Sequence, residues 1–85
     1  MYSITLKKSA EKDLDNINEP FISKIISEIE KLSSNPRNEK VIKLSGKVNE
    51  YRLKVGDYRI LFFINDKSKN VHIARVLHRQ EAYKN

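Results

Sequence analysis

Residues 51–63, YRLKVGDYRILFF, constrain the fold more than any other stretch of the chain. Gly56 and Asp57 separate two runs in which large apolar residues alternate with cations, and a period of two marks a strand with one buried face. A two-residue turn with glycine first suits the type II′ geometry, whose twist matches that of paired strands. The register follows: Val55 opposite Tyr58, Lys54 opposite Arg59, Leu53 opposite Ile60 and Arg52 opposite Leu61. One face of this hairpin carries Tyr51, Leu53, Val55, Tyr58, Ile60, Phe62 and Ile64, an apolar surface that needs a cover. The other carries Arg52, Lys54 and Arg59, with Leu61 and Phe63 on the same side.

The cover lies upstream. Tyr2, Ile4 and Leu6 alternate with polar residues and predict an N-terminal strand. Ser9 is the expected N-cap of a short first helix, with Ala10, Leu14 and Ile17 on one side. Pro20 sits at the start of a second helix, whose stripe of Ile22, Ile25, Ile26, Ile29 and Leu32 ends before Asn35-Pro36. Residues 37–49 read as a loop that holds at most an edge strand near Val41, Ile42 and Leu44. After a polar turn at 65–70, VHIARVL is β-branched but alternates poorly, as expected of a strand buried on both faces, and the tail HRQEAYKN has room for one helical turn. The predicted fold is α+β: an N-terminal strand, a two-helix hairpin, then a three-stranded antiparallel meander. Together they form one mostly antiparallel sheet with the helices on one face, in a single domain over residues 1–85.

Eighty-five residues bury only somewhat more than ~60% of the unfolded chain's surface, so the stability margin is narrow. The absence of cysteine excludes disulfides and thiolate chemistry. MYSITLKK is not a signal segment and no apolar run is long enough to span a bilayer, so the chain reads as soluble and cytoplasmic, with no membrane partner. Its formal charge of +6 favours a polyanionic partner.

The basic face sharpens that expectation. Like charges directly across a strand pair destabilise by a few tenths of a kcal/mol or more, so Lys54 against Arg59 beside Arg52 is not what folding alone selects. A solvated face with splayed side chains is the bland account; a phosphate-binding surface, with Phe63 as an apolar platform for a base, is the functional one. No metal site is expected, since His72 and His78 lie six apart with no carboxylate between them, and no cofactor motif is present. His72 reads as an ordinary strand residue, whereas His78 adjoins Arg79 and becomes a candidate RNA contact.

With YRLKVGDYRILFF followed after one strand by RVLHRQEAY, the chain resembles the RelE/ParE superfamily of toxins from type II toxin–antitoxin modules over nearly its whole length. The RelE branch of that family implies a microbial RNase-like sheet that enters the ribosomal A site and cuts messenger RNA there. It also implies a cognate antitoxin as partner in a hetero-oligomer, besides the ribosome and its mRNA. By resemblance, Arg52 and Lys54 match the basic pair on the first hairpin strand, Arg59 the arginine on the second, and Arg79 and Tyr83 the C-terminal arginine and tyrosine. Some members have Lys at the position of Arg52; because arginine is a poor base, that duty passes to Lys54. The resulting catalytic set is Lys54, Arg59, Arg79 and Tyr83, with Arg52, Phe63 and His78 binding RNA. Two alternatives stand beside it: a ParE-like gyrase inhibitor, which shares the fold and hairpin but usually lacks the catalytic set, and a noncatalytic nucleic-acid-binding or corepressor module, which needs only charge and Phe63.

Overall fold

The computed structural model describes residues 1–82. Among these the elements are β1 (Ser3–Leu6), α1 (Lys8–Asp15), α2 (Phe21–Lys31), β2 (Val41–Lys43), β3 (Glu50–Val55), β4 (Tyr58–Asn65), β5 (Asn70–His78) and α3 (Arg79–Ala82). The strands form one sheet in the order β1-β5-β4-β3-β2, antiparallel except where β1 runs parallel to β5. The α+β class, the helical cover and the mostly antiparallel sheet are as the sequence predicts. The short apolar stretch at 41–43 does pair, as an edge strand on β3, so the meander after the helices has four strands rather than three.

The hairpin has the predicted register, pair for pair. Gly56 takes a φ of 58°, the left-handed value that the first position of a type II′ turn requires and that glycine adopts without steric cost. Leu53, Ile60, Phe62 and Ile64 point into the core, where they meet Ala10 of α1 and Ile25, Ile29 and Leu32 of the second helical segment. Each fully buried aliphatic or Phe side chain contributes about 1.5–3 kcal/mol. The isoleucine stripe is narrower than its spacing suggests, for Ile25 and Ile29 are buried while Ile26 remains exposed. Glu19 holds the start of α2, its two carboxylate oxygens accepting from the Ser23 amide and hydroxyl at 3.2 and 2.6 Å.

Two expectations fail for one reason. The poor alternation of β5 comes from a β-bulge, not from burial on both faces: Leu61 pairs with Arg75 and Phe62 with Ile73, leaving Ala74 as an extra residue. The inward set therefore switches from Val71 and Ile73 to Val76. Helix α1 satisfies the groups that the bulge frees. The Ser9 hydroxyl donates to the Ala74 carbonyl at 2.8 Å, and Asp13 accepts from the Val76 amide at 2.8 Å and from Arg75 Nε at 2.8 Å. Ser9 is thus not an N-cap; the helix starts at Lys8 with Lys7 as its cap residue, and no side chain caps it.

Candidate functional site

The turn Gly56-Asp57 gathers the predicted cations. Strand alternation puts Arg52, Lys54 and Arg59 on the sheet face away from the helices, and the register sets Lys54 directly opposite Arg59. Lys54 is exposed and Arg52 half-buried. Arg59 is buried, with only 5% of its surface accessible, which corrects the expectation of a freely solvated cation. Its Nη1 donates to the carbonyls of Gly56 and Tyr58, both at 3.0 Å. The guanidinium is therefore directed along the hairpin towards the turn, where polarised carbonyls offset its charge. The following helix α3 lies against β4 and β5, which closes over this end of the sheet.

Arg79 opens α3 and is tied to the same turn. Its amide donates to the Asp57 carbonyl at 2.6 Å, and its Nε lies 3.8 Å from Asp57 Oδ1. Both side chains are more than half exposed, so this ion pair is weak and easily exchanged for another anion. Asp57 was visible in the sequence only as a turn former; the signal that it also faces Arg79 was its position at the tip between the two basic strands. Lys54 additionally borders an open groove of about 510 Å³ that it shares with Lys24, Lys40, Ser23, Ser27 and Glu28. Glu28 bridges Lys31 at 2.8 Å and Lys40 at 3.3 Å, and its carboxyl is held below the usual range chiefly by the hydrogen bond from Lys31.

Other predicted residues are placed differently. Phe63 stands on the same outer face and is 39% exposed. His78, the other candidate RNA contact, stands on the opposite face of the sheet, because the bulge shifts the phase of β5. It pairs with Tyr58 and sets its ring edge-on to the Tyr58 ring at 5.5 Å, while Tyr58 in turn meets Phe21 of α2 at 6.0 Å. Tyr83 lies outside the described residues. Among the described residues no three His, Cys, Asp or Glu side chains gather in a way that could hold a metal ion, and no helix is long and apolar enough to cross a membrane.

The strongest local electrostatics lie away from the basic turn. Arg37 forks onto Asp66 at 3.0 and 2.9 Å and donates to the Tyr51 hydroxyl at 3.2 Å, while the Tyr2 hydroxyl donates to Asp66 at 2.6 Å. These bonds fasten the β4–β5 turn to the loop after α2 and to the N-terminus. Hydrogen bonds from Arg37 and then Tyr2 depress the Asp66 carboxyl to about 2. A carboxyl depressed on folding contributes stability above its unfolded value near ~3.9 and loses it as pH falls through the folded value. Asp66→Asn is accordingly expected to lower the melting temperature at pH 7, with the gap to the parent chain closing between about pH 4 and pH 2. A gap that stays constant down to pH 2 would show that the Asp66 charge adds nothing to folding.

The sequence profile of the ParE toxin of type II toxin–antitoxin systems matches residues 4–83. No curated protein sequence matches the chain. Among solved structures, the toxin–antitoxin complex RelBE2 from Mycobacterium tuberculosis contains a chain similar to this one at TM-score 0.81 and 25% identity, covering 92% of this chain and 98% of that one. A chain of the archaeal RelE–RelB complex from Pyrococcus horikoshii is similar at TM-score 0.80 and 29% identity, covering 92% and 94%. One from the RelB–RelE antitoxin–toxin complex of Methanococcus jannaschii is similar at TM-score 0.79 and 28% identity, covering 94% and 95%.

Proposed function

From the premise that this chain belongs to the ParE toxin family of type II toxin–antitoxin systems, within the RelE/ParE superfamily, we propose that it acts in the RelE manner, as a cytoplasmic, ribosome-dependent endoribonuclease. The observation that carries this reading is the convergence of Arg59 and Arg79 on the Gly56-Asp57 turn beside Lys54. A lysine and two arginines collected around one turn of a rigid hairpin suit a single phosphate.

Cleavage by the RNA's own 2′-hydroxyl needs a base at that oxygen, cations on the five-coordinate phosphorus and a proton for the departing 5′-oxygen. Lys54 is the exposed amine placed to take the 2′-proton as the O2′–P bond forms. Arg59, preorganised by the turn carbonyls, stabilises the phosphorane's negative charge. Arg79 leaves Asp57 for the scissile phosphate and hydrogen-bonds the 5′-oxygen as the P–O5′ bond breaks, and that oxygen takes its proton from water. The products are a 2′,3′-cyclic phosphate and a 5′-hydroxyl. Tyr83 stacks on a base or orients the hydroxyl, and Arg52 and Phe63 bind the flanking RNA. The set contains no paired histidines, so the ribosome supplies the substrate geometry that the chain lacks alone. The similar solved chains are bound to RelB antitoxins, which supports a cognate antitoxin as the partner here.

A gyrase-directed action is the rival that the ParE description of the family favours. Incubating the purified chain with translating ribosomes, and separately with gyrase and relaxed plasmid, separates the two. Messenger RNA cut within the A-site codon with cyclic phosphate ends is the expected result. Intact mRNA together with blocked supercoiling would transfer the chain to the gyrase branch.

A further inference from the structure

The outer sheet face extends beyond the cations, and of the row that crosses it there the proposed cleavage uses only Phe63. One row crosses four strands: Thr5 on β1 pairs with His72 on β5, His72 with Phe63 on β4, and Phe63 with Glu50 on β3. Register partners on neighbouring strands rise from the same side of the sheet, here the side of Arg52 and Arg59. Phe63 stands in mid-row with 39% of its surface open to solvent.

The polar residues of the row are held in order. Asn70 Nδ2 donates to Ser3 Oγ at 3.0 Å and to Thr5 Oγ1 at 3.3 Å, and Thr5 Oγ1 lies 2.7 Å from His72 Nδ1. In the tautomer in which the Thr5 hydroxyl donates to Nδ1, His72 Nε2, on the ring edge away from Thr5, is an N–H donor. An exposed aromatic ring is thus flanked by the His72 imidazole, anchored through Nδ1, on one side and the Glu50 carboxylate on the other. Their strands are two spacings apart, roughly 9.6 Å, which leaves room for a base between them.

We propose that this row is a nucleobase-reading subsite for guanine, distinct from the cleavage centre and resting on the RNA-cleaving reading given above. The base stacks on Phe63, the Glu50 carboxylate accepts from its N1–H and N2–H, and His72 Nε2–H donates to O6 or N7. Guanine is the RNA base that offers two adjacent N–H donors on one edge, as a bidentate carboxylate contact requires, and acceptors on the opposite edge. Single-stranded RNA fits this surface because the row continues directly into the cationic half of the face. Phe63 is four residues from Arg59 along β4, about 13 Å, so the base read here lies beyond the nucleotide whose phosphate is held at the Gly56-Asp57 turn.

Fluorescence anisotropy with 2′-O-methyl RNA hexanucleotides, which lack the attacking hydroxyl and stay intact, tests the subsite. One guanine in a uridine context is expected to bind about tenfold tighter than one adenine, with inosine, which lacks the N2 amine, between them. Glu50→Gln and His72→Ala should remove the guanine preference and leave the affinity for the uridine hexamer unchanged. Phe63→Ala should weaken every oligonucleotide. Circular dichroism melts establish that all three variants fold. Equal affinity for all bases, or a guanine preference that survives Glu50→Gln, overturns the subsite and leaves the RNA reading standing. Failure of every hexamer to bind at low salt overturns the subsite, while the cleavage reading stands or falls with the ribosome assay. RNA affinity untouched by Phe63→Ala, with binding to the neighbouring gene's product lost, reassigns the row to a protein partner.

Discussion

Arg79→Ala is expected to lower mRNA cleavage on the ribosome by about 10²–10³ and to abolish growth arrest, with at most a small loss of stability. Its side chain is 57% exposed and its ion pair with Asp57, itself 65% exposed, spans 3.8 Å. Removing such a pair changes stability by less than about 0.5–1 kcal/mol. Arg59→Ala should lower activity as strongly but for a mixture of reasons. That guanidinium is buried and bonded to the Gly56 and Tyr58 carbonyls, so its loss is expected to cost about 1–3 kcal/mol in folding as well. In a domain of this size a loss of 1 kcal/mol moves the melting temperature by roughly 4–8 °C. Growth arrest and thermal melts of both variants check the pair. Full toxicity in a folded Arg79→Ala chain would remove Arg79 from the active site, and an unchanged melt for Arg59→Ala would mean that its turn contacts carry no folding energy.

The contrast between these two arginines marks the limit of what the sequence discloses. Gly56-Asp57 is a local signal with one solution, so the hairpin register, its apolar face and the side on which Arg52, Lys54 and Arg59 emerge were all legible. Emerging on the outer face does not determine exposure, however. Arg59 lies on β4, with β3 on one side and β5 on the other, and the segment after β5 comes back against it. None of that is encoded near residue 59. The bulge at Ala74 was hidden for a related reason: an extra residue in a strand alters the alternation in the same way as two-sided burial. Only the α1 partners Ser9 and Asp13, more than sixty residues away, distinguish the two. That bulge shifts the phase of everything after it, so the face on which His78 stands, paired with Tyr58, could not be read from the alternation of 71–77.

A cationic face that must meet RNA is also the face that a neutralising protein has reason to cover, and this sets the second large effect. The free chain has 85 residues and exposes Phe21, Ile26, Ile42 and Phe63 besides its basic turn. An antitoxin segment with carboxylates and apolar side chains would displace Asp57 from Arg79, pair with Lys54 and cover part of that apolar surface. A partner that binds only the folded chain stabilises it by mass action, by about 4.1 kcal/mol when present at 1,000 times its dissociation constant. The complex is therefore expected to melt well above the free toxin. The charge-dependent share of the affinity should fall as the Debye length shrinks from about 10 Å at 0.1 M salt to about 3 Å at 1 M. Calorimetric titration with the neighbouring gene's product at both ionic strengths, with a melt of each sample, measures the two quantities together. A complex that melts no higher than the free chain would reject that product as the partner. Tight binding that ignores salt would leave the partnership intact and locate its energy in the apolar residues, so that Phe21 and Ile42 rather than Lys54 and Arg79 would be the positions to mutate next.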